Sequence, residues 1–382
     1  MFMKPIPKMD KPLLQKHIIF AVRFSVLAPS KGGTLLASGS LTPDEYRDKL
    51  FSEDRISERL HLFEEITLRS LKYQKPSDAQ LHLIVVTSDV LPEDMNIKLS
   101  KILKEFSSEN NFSATIMYAK SGFSDTHEGR KSYKKIDDCL RAYLKDYIGE
   151  EKDFVFATVR LDDDDGLAAS YCERLSSLLE RGLYGLPVSY AYGYEGFYDK
   201  NSGSFRSVKH WYHPKIALGL AFINKFEIGK GFYDDKCHIY NLGRHTRIDE
   251  TYPILIDSTF PAYFRTISSH NDSGASGSHD YLLDLGALDM DGEEFRFISN
   301  VIDQKPEGSS AIKDWTPSRC TSERAMASKL KSDIKNMSKV LASKEKEISK
   351  LKEMFGTIKK NSEKAPVLRN NILSIIRSLL KR

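Results

Sequence analysis

Hydrophobic residues in this chain fall into short, almost unbroken runs separated by stretches of helical period. His17–Leu27, Leu81–Ser88, Ala114–Tyr118 and Phe154–Leu161 are apolar and rich in β-branched residues, the pattern of strands covered on both faces. Between them the period lengthens. Thr42-Pro43-Asp44-Glu45 opens a helix, with threonine at the cap and proline at the first helical position. Leu60, Phe63, Ile66, Leu68 and Leu71 form an amphipathic stripe, a helix starts at Leu91-Pro92-Glu93-Asp94 and runs to about Phe106, and Lys131–Tyr147 reads as another. Strand and helix in alternation predict an α/β fold, a mostly parallel sheet flanked by helices.

After the fourth strand a helix is expected from Leu167 to about Arg181. Short tyrosine- and glycine-rich β segments follow at Val188–Tyr194, Gly196–Tyr198, Phe205–Tyr212 and Leu218–Ile223, laid over the sheet end. Gly32-Gly33 and residues 274–278 read as loops of small residues. From about Ser322 the pattern changes again. Leu330, Ile334, Met337, Leu341, Ile348, Leu351, Phe355 and Ile358 step by threes and fours like a coiled-coil seam. Beyond Pro366 the chain ends in a basic amphipathic segment. The expected organisation is a leader at 1–16, an α/β domain at 17–300, a linker at 301–321, a coiled-coil-like helix at 322–360 and a basic amphipathic helix at 366–382. The seam suits a homo-oligomer. The basic helix suits a partner's groove, an anionic membrane surface or its own domain.

Composition narrows this further. Among 382 residues, 40% are hydrophobic and 10% aromatic, as in ordinary globular proteins. The formal charge of +4 gives no reason to expect nucleic acid as a partner. Cys139, Cys172, Cys237 and Cys320 form no CxxC pair, which argues against a zinc ribbon and fits a reducing compartment. The Ile18–Val22 run is too short for a signal peptide or a membrane span. The expectation is a cytoplasmic protein, with any membrane contact peripheral and on the inner face.

The candidate chemistry sits where the fourth run ends. Val155-Phe156-Ala157-Thr158-Val159-Arg160-Leu161 leads into Asp162-Asp163-Asp164-Asp165-Gly166. Four adjacent carboxylates repel one another unless a cation or solvent neutralises them, and hard divalent cations such as Mg²⁺ and Mn²⁺ prefer carboxylate oxygens. The C-terminal end of a parallel strand is also where open α/β sheets bind ligands. In an extended chain Asp162 and Asp164 point to one side, so one could accept from ribose hydroxyls while the other holds a metal against a diphosphate.

This run resembles the DxD motif of glycosyltransferases of the GT-A fold. With Val22-Arg23-Phe24-Ser25-Val26, Ser88-Asp89-Val90-Leu91-Pro92, Gly243-Arg244-His245-Thr246-Arg247-Ile248-Asp249 and Arg265–Ser273, it resembles the bacterial rhamnosyltransferase family over residues 17–280. The resemblance implies a GT-A-like sheet and a transferase that uses Mn²⁺ or Mg²⁺. The donor would be a nucleotide-sugar, the acceptor a saccharide or glycolipid, and the product a surface polysaccharide or glycoconjugate. It implies Asp162 and Asp164 as the DxD carboxylates, Asp165 as an alternative register, and His270 or His245 completing the metal shell. Arg23 and Arg160 are candidates for phosphate or sugar contacts, or structural partners of the carboxylates. An inverting transfer needs a base, for which Asp249 and then Asp257 are the candidates. Tyr190, Tyr192, Tyr194, Tyr198, Trp211 and Tyr212 could stack on acceptor rings or simply be half-buried strand residues. Two other readings compete: a nucleotidyl- or phosphotransferase, without a recognisable phosphate loop, and a metal-stabilised coiled-coil scaffold, without an EF-hand continuation after Asp162–Gly166.

Overall fold

No polar residue interrupts the chain between Ile18 and Val22, and successive side chains of a strand point to opposite faces. Ile18, Phe20 and Val22 therefore enter one apolar layer while Ile19 and Ala21 enter another, and β1 (Gln15–Arg23) is buried on both sides. The computed structural model describes residues 14–27, 41–123, 127, 129–148, 152–268, 270 and 293–298, with Ser338, Ala342, Lys346 and Ser349. Along the chain after β1 come α1 (Pro43–Leu50), α2 (Glu53–Leu62), α3 (Arg69–Lys72), β2 (Gln80–Ser88), α4 (Glu93–Glu109), β3 (Phe112–Ala119), β4 (Ser132–Tyr133) and α5 (Ile136–Tyr143). They are followed by β5 (Phe154–Asp162), β6 (Gly166–Leu167), α6 (Tyr171–Leu179), β7 (Pro187–Tyr190), β8 (Tyr192–Asp199) and β9 (Ser204–Tyr212). Last come β10 (Ala221–Glu227), β11 (Gly231–Phe232), β12 (Leu255–Asp257) and β13 (Tyr263–Ile267).

Among the described residues the main sheet runs β12-β7-β10-β5-β1-β2-β3-β4, with β11 on β10. β1 pairs parallel with both β2 and β5, and β2 pairs parallel with β3, the parallel centre that the alternation predicts. The antiparallel β10 lies against β5. A second sheet, β6-β13-β8-β9, is built from the tyrosine-rich segments. One face of the main sheet packs on Leu62, Phe63, Leu71, Leu99, Leu103 and Leu175, the other on Cys139, Leu140 and Tyr143 of α5. Each leucine or phenylalanine among them contributes about 1.5–3 kcal/mol when fully buried. These layers hold β1 and β5 in a register that sets Arg23 beside Asp162.

Several boundaries differ from the sequence expectation, each for a local reason. α1 begins as expected, with a capping box between Thr42 and Glu45. The helix expected from Leu60 starts at Glu53 and passes through a wide π turn (Phe63–Leu68) into α3. The helix expected from Leu167 begins at Tyr171, because Gly166 and Leu167 first pair with β13. Lys131–Tyr147 divides into β4, α5 and a π turn. Val188–Tyr194 divides at Ala191 into two strands of different sheets, where the Ala191 N–H donates to Asp257 and its carbonyl accepts from His213.

Backbone contacts divide the chain into two units, 1–313 and 314–382. In the second, Ser338, Ala342, Lys346 and Ser349 are helical and exposed. The heptad seam, the linker at 301–321, the helix at 366–382 and the loops at Gly32-Gly33 and 274–278 lie outside the described residues. Among the described residues, no helix is long and apolar enough to cross a membrane.

Candidate active site

The parallel pairing of β1 with β5 brings two charged residues to the same sheet edge. Arg23 Nη2 donates to Asp162 Oδ1 at 3.2 Å, and Arg160 Nε lies 3.9 Å from that same oxygen. Arg160 and Asp162 are two apart on β5 and share a side, as strand geometry requires. Both guanidinium groups stand 5.6 Å from the ring centroid of Tyr240, a cation–π arrangement. Tyr240 is fixed in turn. Its hydroxyl donates to the Ala21 carbonyl at 3.1 Å, and the neighbouring Ile239 N–H donates to Thr158 Oγ1 of β5 at 2.9 Å. Partial burial would raise the Asp162 pKa, but Arg160 and Arg23 outweigh it and hold the carboxyl well below the usual carboxylate range.

His245 opens the 3₁₀ turn that follows, anchored by Ile248 in the apolar cluster with Phe222 and Leu220. Its Nδ1 donates to the Lys215 carbonyl at 2.6 Å, which fixes the tautomer and leaves Nε2 as the basic nitrogen. Burial lowers the His245 pKa, and the charges of Arg160 and Arg23 add to this. The Lys215 carbonyl and Asp162 oppose it.

The rest of the acidic run turns away from this corner. The chain leaves the strand at Asp162, and the Asp165 N–H donates back to the Asp162 carbonyl at 3.3 Å. Thr67 Oγ1 donates to the Asp165 carbonyl at 2.9 Å and locks the turn against the π segment. Asp163 and Asp164 are buried, and both accept from the two arms of one buried guanidinium, Arg59 of α2. Asp165 is buried too and accepts from the Thr266 N–H of β13 at 2.8 Å. Burial, then the neighbouring Asp164 and Asp162 charges, raise its pKa well above the usual range. Asp162 and Asp164, expected on one side of an extended chain, thus take different arginines because the strand ends between them. Gly166 closes the run where a Cβ would meet the Phe297 ring at 2.5 Å.

Residues 17–280 match the family described as "Putative rhamnosyl transferase". The chain belongs to that family. The match covers the sheet, Arg23, the acidic run, His245 and His270. The comparison with curated proteins found no match. Among solved structures, S. aureus TarS is similar at 10% identity and TM-score 0.32, over 68% of this chain and 38% of TarS. A TarS 1–349 structure in complex with UDP-GlcNAc is similar at 10% identity and TM-score 0.33, over 69% of this chain and 62% of that one. The chain therefore spans less than two thirds of either structure.

Other residues singled out in this rhamnosyl transferase family member are spread more widely. Asp249 is exposed and accepts from Lys215 Nζ at 2.7 Å, a hydrogen bond that lowers its pKa. Asp257 ends β12 and accepts from the Thr259 N–H and hydroxyl at 2.8 and 2.7 Å. β12 is three strands from β5, about 14 Å across the sheet. His270 Nε2 faces α2, 3.2 Å from Asp54 and 3.6 Å from the buried Glu58. Tyr190, Tyr192 and Tyr198 are buried, whereas Tyr194, Trp211 and Tyr212 are half-buried. Arg59, Glu58, Lys215 and Tyr240 stand outside the residues that the sequence motifs single out. For α2 a signal existed: Arg55, Glu58, Arg59 and Leu62 lie on one helical stripe, so charge occupies a buried face.

The DxD resemblance implies a divalent cation, and the residues present do not fit one. Asp163 and Asp164 are committed to Arg59, and Asp162 faces two guanidinium groups. Asp163 Oδ2 is buried and makes no hydrogen bond, but it is one oxygen, enclosed, where Mg²⁺ or Mn²⁺ would keep several waters. Among the described residues, no group of three or more His, Cys, Asp or Glu side chains is arranged to hold a metal ion.

Proposed function

We propose that this protein transfers a sugar from a nucleotide-sugar donor to a saccharide or glycolipid acceptor, on a GT-A-like sheet, in the building of a surface polysaccharide. The observation that carries the reading is the Arg23–Asp162–Arg160 group stacked on Tyr240 at the C-terminal ends of β1 and β5, inside the family match. That edge is where parallel sheets receive nucleotides. Two guanidinium groups suit a diphosphate, and Asp162 suits a ribose hydroxyl.

In the reaction the acceptor oxygen forms a bond to the sugar's anomeric carbon as the bond to the diphosphate oxygen breaks. The electron pair leaves with the nucleoside diphosphate, where the arginines offset the developing charge. The acceptor's proton goes to His245 Nε2, whose ring the Lys215 carbonyl orients. Asp249, beside the same Lys215, is the alternative base. The enzyme is tested by incubating it with a panel of nucleotide-sugars and simple saccharide acceptors and measuring nucleoside diphosphate release. Acceptor-stimulated release from one donor, lost in Arg160→Met, supports the reading. Release from none of them sinks it.

A further inference from the structure

The acidic run and the arginines around it fall into two ion-paired groups. Asp163 and Asp164 close on Arg59 inside the protein. Asp162 stands outside that pair with Arg23 and Arg160. Counted together, four carboxylates meet three guanidinium groups, so the whole run carries at most one net negative charge whatever the state of Asp165. A divalent cation finds little to attract it. Taking Asp164 as a ligand would strip Arg59, itself buried, of a partner in a region where an unpaired charge is costly. At the outer corner the sign reverses: two guanidinium groups share one carboxylate, and the Arg160 Nε is buried and makes no hydrogen bond. The Arg23 and Arg160 side chains are 26% and 21% exposed. The Tyr240 ring lies against both guanidinium groups, 5.6 Å from each.

We propose that Arg23 and Arg160 bind the donor's diphosphate directly, with no divalent cation between, and that Arg59 takes the place of a metal in neutralising Asp163 and Asp164. The inference rests on the nucleotide-sugar reading given above. It assigns Asp163 and Asp164 a structural task, holding α2 against the end of β5, and leaves phosphate recognition to the basic corner. Planar forks meeting phosphate oxygens in pairs are strong, oriented contacts that supply positive charge at the leaving group.

The test is calorimetric titration of the full chain with UDP, GDP and dTDP, in chelator and then in Mn²⁺ or Mg²⁺. At least one diphosphate is expected to bind in chelator, with affinity changed by less than about twofold on adding metal. Arg160→Ala should weaken it about ten- to a hundredfold, and Arg160→Lys by less than that, since the charge remains and the fork is lost. Binding that vanishes in chelator and returns with metal overturns the inference while leaving the transferase reading in place. Binding of none of the three under either condition overturns both. The chelator arm uses the unaltered protein, so a variant that fails to fold does not decide the matter.

Discussion

Replacing Arg59 with Met keeps most of the side-chain volume and removes the charge that Asp163 and Asp164 share. All three side chains are buried, the arginine being 7% exposed. Removing one partner of a buried ion pair costs about 3–5 kcal/mol, because the remaining charge is left uncompensated. For the 1–313 unit, at about 2.1 cal/mol/K of unfolding entropy per residue, this is a fall in Tm of roughly 5–8 °C. The assay is thermal unfolding followed by circular dichroism at neutral pH. The triple variant Arg59→Met, Asp163→Asn, Asp164→Asn should recover much of the loss, since the stranded charges go with the arginine. That recovery is a coupling on the order of 1–3 kcal/mol. A metal arm sharpens the test: Mn²⁺ should raise the Tm of Arg59→Met more than that of the parent, because only the variant leaves carboxylates unpaired. If Arg59→Met melts within about 1 °C of the parent, or the three substitutions are additive, then Arg59 does not neutralise the run.

Three further outcomes follow from other parts of the molecule. His17 Nδ1 and His82 Nε2 are 2.9 Å apart in the core, and burial lowers their pKa values to about 4 and about 3. The unfolded chain thus binds more protons, so stability is full above pH 6.5 and falls as pH drops through it, by about 1.4 kcal/mol per pH unit for each histidine; urea unfolding of His82→Gln should show a shallower slope between pH 6.5 and 4, and an equal slope would refute this. Gly166→Ala should cost about 1–3 kcal/mol by urea unfolding, since its Cβ would meet the Phe297 ring at 2.5 Å; an unchanged midpoint would mean Phe297 moves freely. With His245 facing Arg160, Arg23, Asp162, His213 and Lys215, its pKa is lowered, so kcat/KM should rise with pH along a limb below 6.5 and be flat above; His245→Gln should lose this limb and about 10²–10⁴ in rate, and a larger loss in Asp249→Asn would move the base to Asp249.

The sheet was legible because its strands are apolar on both faces, a signal carried by Ile18–Val22 and Phe154–Leu161 without reference to any other part of the chain. The candidate corner was half legible. Arg160 and Asp162 follow from the two-residue strand period, and Arg23 reaches them only through the β1–β5 register, which apolar runs do not encode residue by residue. The strand's end near Asp162 was legible, but the pairing of Asp163 and Asp164 with Arg59 needed a fact absent from local pattern: that α2 begins at Glu53, seven residues before its apolar stripe. Tyr240 was hidden for a similar reason, since a turn residue placed by Thr158 of β5 and the Ala21 carbonyl has no period to announce it.

A crystal structure with the nucleoside diphosphate that binds, grown in chelator, tests the proposed donor site most directly. The expected result is phosphate oxygens within hydrogen-bond distance of both Arg23 and Arg160, with Arg59 still closed on Asp163 and Asp164. Phosphates placed away from those two arginines, or reaching the acidic run through a bound metal with Arg59 displaced, would contradict it.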